Sequence, residues 1–342
     1  MDSPDIKKAV NKSLDYLWSR NANGFWEGFP TLAGTSDIWV TGFVLAHISS
    51  LTGNTSTRQR THEFLINARH PQGGWSYSAI VPPDADSTAW CLAALSGQQN
   101  LTKDMLKASR TFLWGHYTGK GIATYIPASG IQQFIGAPSE EFMTGWYNAH
   151  PDVSIAAVLA DIHGIHMPET LDWIAGLPKK DGMIASYWWR SPFYSTALYL
   201  RAIKALKKNL STVDQSILVT TLQRDQMDNG GYGLDDSDTP DIFSAALALE
   251  CMIYLEKDVL SDNMKACVNY LLSAQNPDGS WEGHLILRLP APDVLDPETV
   301  FSWNNPEGGG NSFIADRAGL FTTTLACHSL ALWGEKISAS KQ

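Results

Sequence analysis

No stretch of the 342-residue chain approaches the roughly 18 consecutive apolar residues that a membrane-spanning helix needs. The opening run Met1-Asp2-Ser3-Pro4-Asp5-Ile6-Lys7-Lys8 also lacks the apolar core of a secretory leader. A cytoplasmic protein with at most peripheral membrane contact is therefore expected. Basic residues are scarce, with 25 Lys and Arg against 35 Asp and Glu and a net charge of −10. Such a surface repels a phosphate backbone, so no nucleic-acid partner is expected. The four cysteines, Cys91, Cys251, Cys267 and Cys327, are far apart and form no Cys-x-x-Cys pair, which excludes a disulfide framework and a structural zinc site and predicts buried thiols. Charged residues make up only 18% of the chain and hydrophobic ones 44%, which excludes disorder and supplies a large core. Strand signals are few.

What the chain has in excess is tryptophan, 13 residues, together with 27 glycines. That composition prompts a search for repeats. Gln226-Met227-Asp228-Asn229-Gly230-Gly231-Tyr232 and Gln275-Asn276-Pro277-Asp278-Gly279-Ser280-Trp281 share the pattern Q-x-x-x-G-x-aromatic. Two relatives begin with Arg20 and Arg69 and end at Trp26 and Trp75, and weaker copies lie at Gly121-Ile122 and Gly182-Met183-Ile184. The terminal residues fall at 26, 75, 122, 184, 232 and 281, steps of 47 to 49 with one of 62, so six units fill the chain.

Each unit reads as a helix, as at 61–68 or 265–274, a Gly-aromatic turn, a variable loop and a second helix. The second helices, at 87–95, 153–162, 196–205, 243–255 and 322–332, are apolar on most sides and so are expected to be buried. The predicted fold is all-α: residues 1–342 form one (α/α)6 double-walled barrel of six outer and six inner helices. The turn glutamines and aromatics read as staples, the amide bonding backbone at a neighbouring helix terminus and the ring stacking between repeats. The longest loops, 121–151 and 282–320, are expected at one mouth of the barrel, where a site would lie.

The stretch most suggestive of chemistry is Gly73-Gly74-Trp75-Ser76-Tyr77, then Pro82-Pro83-Asp84-Ala85-Asp86-Ser87-Thr88-Ala89-Trp90. The prolines force an extended approach and the Asp/Ser/Thr cluster opens an inner helix. One Asp is explained as an N-cap. Two acids at i and i+2 beside a cavity can instead repel each other and lose hydration, which holds one of them protonated, while the helix dipole favours the anion.

This run resembles the D-x-D-D-T-A element of class II terpene cyclases, the squalene–hopene cyclase superfamily, whose Q-x-x-x-G-x-W repeats also match over nearly the whole chain. The resemblance implies that Asp86 is the general acid that protonates an alkene and that Asp84 supports it, with Ser87 in the place of the family's final Asp. Ser36-Asp37-Ile38-Trp39-Val40-Thr41-Gly42 is similar to the family's S-P-V-W-D-T-G, which implies a substrate-facing Trp39. By the same resemblance Tyr77, Tyr125, Trp188 and Phe313 are substrate-binding aromatics of the cavity wall. Protonating an alkene is steeply uphill in water, so such a site must exclude water and surround the cation with aromatic faces that are neither bases nor nucleophiles. The family's His beside the acid is replaced by alanine in Pro151-Asp152-Val153-Ser154-Ile155-Ala156; His150 is a substitute or a loop residue.

The resemblance implies cyclisation of a linear isoprenoid to fused rings without a cofactor or metal. A single barrel suits the meroterpenoid type, with a prenylated aromatic acid as substrate. Arg190, Arg288 and Arg317 lie in or beside the mouth loops, as anchors for its carboxylate or as surface ion pairs. A prenyl diphosphate is the alternative and would bring Mg²⁺, with Asp235, Asp236 and Asp238 as its candidate ligands, which otherwise read as a solvated loop. Asp161, His163 and His166 form a weak zinc pattern at a helix end. Two other classes compete: an α6/α6 polysaccharide hydrolase or lyase, with acids on separate loops about 5 to 10 Å apart in an open groove, and a lipid-binding toroid in which Asp86 only caps a helix.

Overall fold

The computed structural model describes residues 3–21, 23–51, 55–98, 100–235, 238–303 and 310–339. In chain order its helices begin with α1 (Ser3–Ser19), α2 (Ile38–Ile48), α3 (Thr55–Asn67), α4 (Ala85–Ala94), α5 (Lys103–Trp114) and the short α6 (Ile131–Phe134). They continue with α7 (Pro151–Ala160), α8 (Met167–Ala175), α9 (Tyr194–Ala205), α10 (Thr212–Arg224), α11 (Ile242–Leu255), α12 (Ser261–Ser273) and α13 (Leu320–Ala339). α2 packs on α4, α4 on α7, α7 on α9, α9 on α11, α11 on α13, and α13 returns to α2, so six inner helices close a ring. Outside it, α1 lies on α13, α3 on α2, α5 on α4, α8 on α7, and α10 and α12 on α11.

The inner helices are buried on every side because their sequences offer no polar stripe. In α11, Ile242 through Ile253 are all buried, Glu250 among them. Their starts are set by caps. Asp84 caps α4 by accepting the Ser87 amide, Asp241 caps α11 by accepting that of Ser244, and Pro151 opens α7 where its missing N–H costs nothing. The inner helices begin one or two residues earlier than expected, at Ala85, Pro151, Tyr194, Ile242 and Leu320. α13 also extends to Ala339, beyond the expected end at 332.

The repeat turns are staples, by a route that differs in detail from the expected one. The indole N–H of Trp26, Trp75 and Trp281 donates to the Leu17, Leu65 and Leu271 carbonyls, at 2.6, 2.6 and 2.8 Å, and the Tyr232 hydroxyl to Leu222, at 2.8 Å. Each ring thus ties its turn to the end of the preceding outer helix of its own unit. Gln226 and Gln275 reach the neighbouring unit instead, donating to Asn263 O at 2.8 Å and Ala9 O at 3.0 Å. The glycine is required by a close approach: Gly73 has φ +111°, and a Cβ there would lie 2.7 Å from the Ala108 carbonyl of the next outer helix. A hydroxyl near the start of an inner helix completes the turn. The amides of Trp26, Trp75, Ile122, Ile184 and Trp281 donate to Thr41, Thr88, Ser154, Thr196 and Thr323, so the two degenerate turns keep this contact.

Four antiparallel two-stranded ribbons, unforeseen from the sequence, project from the turns. Among the described residues they pair β1 (Gly28–Thr31) with β2 (Gly34–Ser36), β3 (Lys179–Lys180) with β4 (Met183–Ile184), β5 (Tyr232–Gly233) with β6 (Pro240–Asp241), and β7 (Leu285–Leu289) with β8 (Ser312–Ala315). No helix among the described residues is long and apolar enough to cross a membrane. All four cysteines are free and buried, and burial pushes the Cys327 thiol up to about 12.

Candidate active site

The two long loops meet over the inner-helix N-termini. Gly145 N and Trp146 N donate to Pro292 O at 2.8 and 3.1 Å, Trp146 Nε1 to Pro290 O at 3.1 Å, and the Tyr187 hydroxyl to Val294 O at 2.8 Å. Beneath them lies a cavity of about 550 Å³ whose wall includes Asp84, Asp86, Ser87, Trp39, Tyr77, Tyr125 and Trp188. Seven of the eight expected site residues are thus brought together. Val81, Ile131, Leu287, Leu289 and Trp146 make most of the remaining wall apolar.

Phe313 is the exception and corrects the expectation. It sits on β8, stacked on Trp303 with centroids 4.7 Å apart and beneath the Arg190 guanidinium at 4.1 Å, and it is not part of the chamber wall. The pairing of β8 with β7 puts Arg288 opposite Phe313 in register; Arg288 is part of the chamber wall, while the Phe313 ring is covered by Trp303 and Arg190. Trp146, which no motif marked, adds the ring that Phe313 does not: it stacks with Tyr125 at 5.7 Å and meets Trp188 edge-on at 5.6 Å.

The acids differ in how they are held. Asp84 is 3% exposed and both its oxygens accept from Ser87, Oδ1 from the amide at 2.8 Å and Oδ2 from the hydroxyl at 2.7 Å. Burial nevertheless pushes its carboxyl up to about 7. Asp86, in the first turn of α4, is partly open to the chamber, and its Oδ2 accepts the indole N–H of Trp39 at 2.8 Å. Burial first, then repulsion from Asp84 and Asp152, holds the Asp86 carboxyl well above the usual carboxylate range, while the hydrogen bond from the Trp39 indole acts the other way.

Asp152 is a third acid that motif reasoning passed over. It is 2% exposed, accepts Trp188 N on Oδ2 at 2.8 Å and Val153 N at 3.2 Å, and burial raises its carboxyl to about 6. The packing of α4 on α7 brings it near Asp86 across 66 positions of sequence. The only sequence signal was its place at the start of an inner helix, equivalent to that of Asp86. His150 is not a substitute for the family histidine: it bonds Thr124 Oγ1 at 2.8 Å and Gly145 O at 2.9 Å, and burial lowers its imidazole to about 3.

Trp39 joins the chamber to an aromatic core. It stacks on Tyr77 at 5.6 Å and contacts Phe321 at 4.9 Å and Trp189 at 5.9 Å. The Tyr77 hydroxyl donates to the Phe29 carbonyl, so its ring stays against the chamber with its polar tip satisfied.

Of the three arginines, only Arg288 reaches the chamber; it is 8% exposed, with Nη1 on Ser186 O at 3.2 Å and Nη2 on Asp235 at 3.0 Å. Arg190 Nε holds the other Asp235 oxygen at 2.8 Å. A carboxylate shared by two arginines is not free to ligate Mg²⁺, which corrects the diphosphate expectation at Asp235; Asp236 lies outside the described residues. The Asp161, His163 and His166 pattern also separates, with Asp161 bound by Trp114 Nε1 at 3.0 Å and Arg110 at 3.3 Å, and His166 stacked on Tyr117 at 4.1 Å.

The sequence matches the Prenyltransferase alpha-alpha toroid domain over residues 16–192 and 185–288. Curated protein sequences give no match. Among solved structures, an aspartate-to-alanine variant of the type II terpene cyclase MstE from Scytonema, in complex with merosterolic acid A (product), is 25% identical, with a TM-score of 0.88 over 97% of this chain and 98% of that one. An arginine-to-alanine variant of the same cyclase, in complex with geranylgeranyl dihydroxybenzoate (substrate), is 24% identical with a TM-score of 0.87 over the same shares. The ent-copalyl diphosphate synthase from Streptomyces platensis is 13% identical with a TM-score of 0.59, over 86% of this chain and 50% of that one, and shares the fold.

Proposed function

Since the chain belongs to the Prenyltransferase alpha-alpha toroid family, we propose that it is a class II terpene cyclase that folds a prenylated aromatic acid into fused rings by protonating its terminal alkene. The observation that carries this reading is the place of Asp86: a carboxyl that opens on a chamber of about 550 Å³ lined by aromatic and aliphatic side chains, with burial and two neighbouring acids raising it well above the usual carboxylate range. The likeness to the Scytonema cyclase, whose substrate and product complexes hold a geranylgeranyl dihydroxybenzoate and merosterolic acid A, supports the substrate class.

Burial and the two neighbouring acids disfavour the Asp86 carboxylate, and in this reading Asp86 rests protonated. Trp39 occupies Oδ2, which leaves Oδ1 to carry the proton. When the proton leaves, a C–H bond forms at the terminal alkene, the next double bond attacks the tertiary cation, and ring closures follow. The carboxylate left behind is stabilised by the same indole N–H, so the acid is not too weak to act. Tyr77, Tyr125, Trp146 and Trp188 present faces to the migrating charge. Loss of a proton at the end makes the product an isomer of the substrate. Arg288 is the anchor for the aromatic carboxylate, in charge-assisted contact at the polar side of the chamber.

The rival readings find less support. Asp84 and Asp86 share one helix turn instead of facing each other from separate loops as sugar hydrolysis requires. The test is incubation of wild type and Asp86→Asn, with and without EDTA, with geranylgeranyl dihydroxybenzoate and geranylgeranyl diphosphate, read by mass spectrometry. A ring-containing isomer of the benzoate, made by the wild type in EDTA and absent with the variant, is expected. Turnover of the diphosphate alone, equal turnover by both proteins, or ligand bound and released unchanged would overturn the proposal.

A further inference from the structure

One chain of hydrogen bonds at the chamber wall has no part in the protonation step. Trp188 Nε1 donates to Thr124 Oγ1 at 2.8 Å, Thr124 Oγ1 meets His150 Nδ1 at 2.8 Å, and His150 Nε2 meets Gly145 O at 2.9 Å. Its direction is fixed by its ends, since an indole only donates and a carbonyl only accepts. Thr124 therefore donates to His150 Nδ1, and the imidazole carries its proton on Nε2. The depressed basicity of His150 keeps it neutral, as this polarity requires.

The same ring is held from three further directions. Its backbone N–H donates to Asp152 at 2.8 Å, His150 meets it edge-on at 5.7 Å, and Trp146 does so at 5.6 Å. His150 is itself clamped by Tyr187, stacked at 3.8 Å. Thr124 lines the chamber beside Trp188, and the buried His150 acts on the chamber through Thr124 and the Trp188 indole.

Resting on the cyclase reading above, we propose that Thr124 and His150 are a positioning pair that fixes the Trp188 indole toward the substrate and thereby sets which cation is stabilised and which ring product forms. Two effects follow from the geometry. The bond to Thr124 stops the indole from turning its N–H edge, the positive rim of its quadrupole, toward the chamber. Donation by that N–H also enriches the ring in electrons, which strengthens its attraction for a cation over its face. Preorganisation of this kind acts through a side chain locked by its supporting shell. Without His150 the Thr124 hydroxyl proton is free to rotate, and the orientation of the acceptor is lost.

The test compares wild type, Asp86→Asn, Thr124→Val, Thr124→Ser and His150→Phe on geranylgeranyl dihydroxybenzoate, scoring substrate consumed separately from the ratio of ring products. His150→Phe keeps the stack on Tyr187 and removes both ring nitrogens. The expected result is continued consumption by Thr124→Val and His150→Phe, with the ratio of minor to major product raised by about tenfold, and the wild-type ratio restored in Thr124→Ser. Hydrogen exchange of the Trp188 indole N–H, followed by ¹⁵N NMR, should be slow in wild type and fast in Thr124→Val. Unchanged product ratios in both variants, or slowed consumption at the wild-type ratio, would overturn the positioning role while leaving the cyclase reading intact. No conversion by the wild type would overturn both.

Discussion

The barrel buries two polar clusters, and they are built on opposite principles. At the mouth, Asp84, Asp86 and Asp152 face one another with no cation among the influences on any of them. On the other four inner helices, about 12 Å from their N-terminal ends by the rise of 1.5 Å per residue, Arg201 Nη2 bonds Glu250 at 2.8 Å and Arg201 Nη1 meets His47 Nε2 at 3.1 Å, with His328 on the His47 carbonyl at 3.1 Å. Burial alone would lower Arg201, but Glu250 beside it raises it, so the guanidinium keeps its charge. The deeper cluster joins α2, α9, α11 and α13 and holds the ring together. Charge compensation is what a structural site needs; carboxyls raised by burial, with Asp86 raised further by its acidic neighbours, are what an acid catalyst needs.

The contrast breaks most sharply at Asp86. Asp86→Asn should lower cyclisation by roughly 10²–10⁴-fold, the usual value of a general acid, with no loss in thermal midpoint, since a protonated Asp and an Asn are nearly alike in charge. Glu250→Gln should do the reverse. Leaving Arg201 buried without its counter-charge should cost about 3–5 kcal/mol in denaturant unfolding, and any loss of activity should follow the loss of folded protein.

The pH dependence of stability separates the clusters next. Asp84, at about 7, and Asp152, at about 6, hold protons in the folded state that the unfolded chain has released, so their contribution is full below pH 3.8 and fades as pH rises toward 7. His328 is lowered from 6.5 to about 4 by burial, so its contribution runs the other way and rises between pH 4 and 6.5. Urea midpoints measured across this range should fall less steeply in Asp152→Asn and rise less steeply in His328→Gln; the same slopes in wild type and variants would show both groups to be unshifted. The smallest effect concerns the staples. Thr88→Val removes the acceptor of the Trp75 amide and should cost about 1 kcal/mol with the product ratio unchanged.

Much of the scaffold could be read from the chain because it is local. The Gly-aromatic turns, the all-round apolar helices and the acids at 84 and 86 each lie within a few residues of the pattern that announces them. What escaped is produced by ring closure or by strand pairing. Asp152 meets Asp86 only when α7 packs on α4, and the Trp188, Thr124 and His150 bonds link separate units. Phe313 lies away from the chamber because a two-stranded ribbon formed where a plain loop was expected and its ring was taken up between Trp303 and Arg190. Asp235 offered the appearance of a metal ligand until two arginines from other segments claimed it.

The central claim is that Asp86 carries a proton at neutral pH in the resting protein. Infrared difference spectroscopy between wild type and Asp86→Asn at pH 7 measures this directly, through the carbonyl stretch of a protonated carboxyl. A protonated-carboxyl band present in the wild type and missing from the variant is the predicted result. A difference confined to the carboxylate bands would show Asp86 ionised at rest and would contradict the account.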